Sequence, residues 1–135
     1  MGLAERRAIE QFKNDDYPGW QRKIDEAAGF EVPVEVRWDE LAVADHADSY
    51  ADFFGKVYFR PLVAALRAIT IDELGKTALR DSLAKIVLCN SDRFYSVRGV
   101  TFADGVLTFD HQPHTNIDEI DERTKGLQQI LESGL

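Results

Sequence analysis

An α+β fold is predicted by three features of the chain: a strictly alternating stretch from Phe30 to Trp38, a succession of β-rich segments between residues 85 and 111, and amphipathic helical stripes before, between and after them. Strands that follow one another without intervening helices favour antiparallel pairing. The expectation is therefore an antiparallel sheet of about four strands, made of an edge strand at 30–38 and a C-terminal meander at 85–111, packed by N-terminal, central and C-terminal helices.

In chain order, Ala8, Ile9 and Phe12 form one helical stripe and Trp20, Ile24 and Ala27 a second, with Asp15, Asp16 and Pro18 punctuating them and Gly29 placed to end the second helix. From Phe30 to Trp38, apolar Phe30, Val32, Val34, Val36 and Trp38 alternate with Glu31, Pro33, Glu35 and Arg37. Pro33 cannot donate to a ladder, so this strand belongs at a sheet edge. Tyr50, Phe53, Phe54 and Val57 are spaced i, i+3, i+4, i+7, as on a helix face. Pro61 starts or kinks a helix carrying Leu62, Val63, Leu66 and Ile69. Thr70 with Glu73 fits a capping box for a helix over 71–84 whose apolar face holds Leu74, Ala78, Leu79 and Leu83. Strands follow at 86–90, 95–102 and 106–111, and Asp104-Gly105 signals a type I′ hairpin between the last two. Asn116 and Glu119 can cap a final helix striped by Ile117, Ile120, Leu127, Ile130 and Leu131. Gly75 and Gly126 interrupt good helical patterns, which points to close packing.

A chain of 135 residues, 44% hydrophobic and 30% charged, suits a single domain over 1–135 with one core. The lone cysteine, Cys89, permits no internal disulfide, and residues 1–13 lack the apolar run of a signal peptide, so the cytoplasm is the expected compartment. The longest apolar run, Leu62 to Leu66, is far short of the ~20 residues of a membrane-spanning helix. Sixteen basic against twenty-four acidic residues leave a net charge of −8, with the basic residues scattered singly, which argues against nucleic-acid binding. Nucleotide, hydrolase, zinc and dinucleotide signatures are absent, and no cofactor is expected.

Four groups of residues carry candidate chemistry. Asp110, His111 and His114 stand where the last strand leaves the sheet. Two histidines three apart could ligate a metal, or one could act as a general base oriented by Asp110. Cys89 could be a nucleophile with His111 as its base, although an intervening strand would separate them, and a buried hydrophobe is the simpler role. Asp45, His46 and Asp48 could hold a divalent cation or cap a helix. Asp118, Glu119, Asp121 and Glu122 crowd the start of the last helix, where they complement its dipole or attract a basic partner. Among the aromatics, Tyr58, Phe59, Phe94 and Tyr95 lie near predicted element ends, where Tyr58 and Phe94 could meet a partner.

Charge and missing signatures together favour a non-enzymatic acidic binding or regulatory module that engages a protein with a basic surface. The alternative is a small hydrolase or metal-dependent enzyme built on His111, His114 and Asp110, and a homo-oligomer pairing edge strands or aromatic surfaces is a third possibility.

Overall fold

The N-terminal stripes form helices that dock through the residues their spacing singles out. In the computed structural model, which describes residues 2–135, α1 (Leu3–Asp15) buries Ile9 and Phe12, and α2 (Tyr17–Ala28) buries Ile24, Ala27 and Ala28. Pro18 sits in the first turn of α2, where its missing N–H costs nothing, and Gly29 ends the helix at φ 86°.

The alternating segment yields only a short strand, β1 (Val34–Val36), because Trp38 turns out of the sheet to begin the one-turn helix α3 (Trp38–Leu41). Its indole packs edge-on against Tyr17 at 5.2 Å and tilts against Phe12 at 5.7 Å. That aromatic burial outweighs two further residues of strand pairing at an edge.

A long central helix follows in three parts: α4 (Tyr50–Phe54), a π-helical turn (Gly55–Phe59) and α5 (Arg60–Ile69). Pro61 lacks the N–H that an α-helix would direct at the Val57 carbonyl, and the chain widens just before it. Val57, Tyr58 and Phe59 are consequently all fully buried in succession. The next helix, α6 (Glu73–Ser82), is capped by Asp72, whose carboxylate accepts from the Gly75 N–H at 2.8 Å. The expected Thr70 cap is replaced by a different use of that residue: Thr70 ends α5, and its hydroxyl donates to the Ala27 carbonyl at 2.7 Å, tying α5 to α2.

The remaining strands are β2 (Lys85–Cys89), β3 (Val100–Ala103) and β4 (Val106–Asp110), and α7 (Ile120–Gly134) closes the chain. They overturn the expected antiparallel sheet. The order is β1-β2-β4-β3, with β1 parallel to β2, β2 parallel to β4, and only β3–β4 antiparallel, so the four-stranded sheet is mixed and mostly parallel. Residues 90–99 carry the chain past the position beside β2 to the far edge before β3 begins. The Asp104-Gly105 turn, with φ 53° and 78°, then folds β4 back into the gap between β3 and β2. β2 is central, and Ile86, Val87, Leu88 and Cys89 are all buried, as expected of a strand covered on both faces.

Register places Val34, Ile86, Leu107 and Phe102 in one cross-strand row and Val36, Leu88, Phe109 and Val100 in another. Most of these side chains join the core formed with the helices. Glu35, Val87, Thr108 and Thr101 form the row between them and face the opposite way. There Lys85 closes on Glu35 at 2.7 Å. The whole is one α+β domain, about 60% helical, with one continuous core.

Candidate functional site

Where two parallel strands end side by side, backbone groups and side chains are left to be used. β2 and β4 end on the paired residues Cys89 and Asp110. Asp110 is buried and fully engaged, with its two carboxylate oxygens accepting from the N–H and the hydroxyl of Ser91. Cys89 is buried beside it, and burial together with the Asp110 charge pushes its thiol up to about 11. The sulfur is therefore a protonated thiol at neutral pH and a poor nucleophile.

His111 is wholly buried. Its Nδ1 lies 2.6 Å from the Gln112 carbonyl oxygen, which only accepts, so Nδ1 carries the proton. Nε2 keeps its lone pair and has no partner among the described residues. Burial holds the imidazole below its ordinary pKa, and it is neutral at pH 7. The His111 carbonyl accepts from the Tyr58 hydroxyl, which places Tyr58 in the interior and not on a docking surface. Nearby, the buried guanidinium of Arg123 donates to the carbonyls of Asn116 at 2.6 Å, Ile117 at 2.8 Å and Lys56 at 3.2 Å. Arg123 thereby ties the α7 approach to the π-helical turn, a role no sequence motif announced.

His114 goes the other way. It is exposed and stacks on His46 with ring centroids 5.0 Å apart, while His46 also meets Phe53 at 5.6 Å. Burial and the proximity of His46 lower its pKa. The three histidines therefore do not converge: one is internal, and the other two pair at the surface. Asp45 takes a left-handed φ of 68° before the short helical turn Ala47–Ser49, and neither Asp45, His46 nor Asp48 caps that turn through a side chain. Among the described residues no three His, Cys, Asp or Glu side chains gather into a metal-binding group.

The acidic residues at the start of α7 are arranged otherwise. Asp118, Glu119, Asp121 and Glu122 are exposed and line an open cavity of about 420 Å³ with Arg60 and Ile120. Lys56 reaches Asp118 and Asp52, each at 3.4 Å, and so joins this edge to α4. Phe94 is half-buried, whereas Tyr95 next to it is mostly exposed.

The two most exposed large apolar side chains lie where α5 ends, α6 begins and α7 ends. Ile71 is 84% exposed and Leu74 is 81% exposed. With Ile69, Ala78 and Leu135 they line a groove of about 400 Å³, and its only charged lining residues are Asp72 and Glu132. Gly75 makes this geometry possible, because a Cβ there would lie 1.8 Å from the Ile69 carbonyl oxygen. The α6 backbone therefore presses against the end of α5, and Leu74, expected on the buried face, is rotated outward. Among the described residues no helix is long and apolar enough to cross a membrane. Comparison of the chain with protein-family models, with curated proteins and with solved structures returned no match.

Proposed function

We propose that this protein is a non-catalytic binding module that takes up a basic, amphipathic segment of a partner protein in the groove between α5, α6 and α7. The observation that carries this reading is the exposure of Ile71 and Leu74 over an apolar floor edged by two carboxylates. Large apolar side chains left bare together mark docking surfaces, and burying each would contribute roughly 1.5–3 kcal/mol. Asp72 and Glu132 select for Lys or Arg on the incoming segment, and the net charge of −8 favours encounter with a basic protein. The catalytic alternative draws no support from the site. Asp110 is satisfied by Ser91, His111 is sealed inside, and His114 stacks on His46 outside.

Affinity capture from lysate with the wild-type protein and the Leu74→Asp variant, followed by calorimetric titration of the recovered partner, tests the reading. The expected outcome is a basic protein retained by wild type alone, bound at least tenfold more weakly by Leu74→Asp and weakened by raised salt. Equal capture by both proteins, or a partner indifferent to salt, would refute it. Concentration-dependent light scattering shows whether a second copy of the chain is the occupant instead.

A further inference from the structure

We propose a second site in the seam between α2 and α5, one that binds an acidic peptide segment. In a chain with 24 acidic and 16 basic residues, Lys23, Arg60 and Arg67 collect around a cavity of about 400 Å³ that is also lined by Trp20, Val63 and Ala64, and no carboxylate lines it. Five of the sixteen basic residues, Lys13, Arg37, Lys56, Lys76 and Lys85, lie within 3.4 Å of a carboxylate, and the three groove cations are among those that form no ion pair among the described residues. Arg60 also borders the acidic cavity at the start of α7, so Lys23 and Arg67 supply most of the local positive charge that would attract an anion.

The helices set its geometry. Arg60, Val63, Ala64 and Arg67 occupy i, i+3, i+4 and i+7 on one face of α5, and Trp20 and Lys23 are i and i+3 on α2. The two helices are fastened at both ends of the seam, by the Thr70–Ala27 hydrogen bond and by Trp20 stacked on Phe59 at 5.5 Å. Lys23 Nζ sits 4.5 Å from the Trp20 ring centroid, so one cation is already held over the aromatic wall.

Spacing selects the ligand. Arg60 and Arg67 are seven residues apart, which is about 10.5 Å along a helix axis. In an extended polyproline-type segment, side chains three residues apart share one side at about 9.3 Å, so carboxylates at i and i+3 meet both arginines. Each planar guanidinium can then hold a carboxylate with two parallel hydrogen bonds. A nucleic acid would continue past the groove over an acidic surface and be repelled there, whereas two carboxylates at i and i+3 span only about 9.3 Å, the reach of the two arginines.

The test titrates the 135-residue protein with a capped Glu-Pro-Pro-Glu peptide and with the same peptide carrying Gln for Glu, by calorimetry and by Trp20 fluorescence in a Trp38→Phe background. Saturable binding of the acidic peptide is expected, at least tenfold tighter than the Gln peptide. It should be weakened tenfold or more in a Lys23→Gln, Arg67→Gln variant whose melting temperature is unchanged, and unaffected by Arg6→Gln with Arg7→Gln on α1. Absence of saturation, equal binding of the Gln peptide, or unchanged affinity in the Lys23→Gln, Arg67→Gln variant would overturn the site. Tighter binding of inorganic phosphate or of a single-stranded oligonucleotide than of the acidic peptide would overturn its assignment to peptide.

Discussion

The ends of β2 and β4 hold the side chains with the richest chemistry in the molecule, Cys89, Asp110 and His111, and all three are buried. The corner between α5, α6 and α7 holds Ile71, Leu74 and Ala78, which have no reactivity, and two of them are almost fully exposed. Reactive residue types lie where the protein needs hydrogen-bonding groups to finish strand ends inside a core, and bare apolar ones lie where it offers a surface. Residue chemistry and accessibility therefore single out different ends of this molecule.

Arg123→Leu should produce the largest change, because it leaves the carbonyls of Asn116, Ile117 and Lys56 without their donor. A loss of about 3 kcal/mol is expected in urea unfolding. A loss below about 0.5 kcal/mol would show that the interior polar cluster is not structural. Gly75→Ala comes next. Its new Cβ cannot coexist with the Ile69 carbonyl, so α6 must shift, at a cost of about 2 kcal/mol that exceeds the gain in helix propensity of about 1 kcal/mol. Partner binding in the groove should weaken with it, and calorimetry reads both.

Acid sharpens the comparison further. His111 and His114 are both held below the ordinary histidine value, chiefly by burial. The unfolded chain, with its histidines near 6.5, therefore takes up protons first. The contribution to stability is fully present above about pH 6.5 and declines as pH falls through that value toward the lowered folded ones, by at most about 1.4 kcal/mol per unit for buried His111 and by much less for exposed, solvent-screened His114. Urea midpoints at pH 7.5, 6.5 and 5.5 should follow this slope, and His114→Gln should remove part of it while leaving the pH 7.5 midpoint in place. A flat profile would mean that these histidines titrate alike in both states. The smallest effect on folding belongs to the double change Ile71→Ser with Leu74→Ser, expected within about 0.5 kcal/mol of wild type, since neither side chain is in the core. A clear destabilisation would show that the corner is part of the packed structure and not an open surface.

Much of the local structure was legible. Pro18 and Gly29 bound α2, Asp104-Gly105 makes the hairpin, Pro33 marks an edge strand, and the stripes of α1, α5 and α7 face the core. These are effects of residues on their immediate neighbours: steric limits on φ, a missing N–H, a period of 3.6 or 2. The one sequence signal of parallel pairing was the unbroken apolar run Ile86-Val87-Leu88-Cys89, which differs from the alternation of a strand with one wet face.

The candidate sites were legible as residue types but not as places. Tyr58 and His111 became interior partners, His114 paired with a histidine 68 positions earlier in the chain, and Leu74 left the face its spacing assigned to it. By itself the sequence determined the order of helices and strands and several of their turns and stops, because those choices depend on groups a few bonds apart, but not the full bounds of β1 and β3 or the cap of α6. Tertiary structure alone decided the order β1-β2-β4-β3, the closing of the strand ends around Asp110 and His111, and the outward turn of Ile71 and Leu74. The first two depend on which distant backbones approach closely enough to share hydrogen bonds, as β2 and β4 do, and the third on how tightly the start of α6 packs on the end of α5 at Gly75.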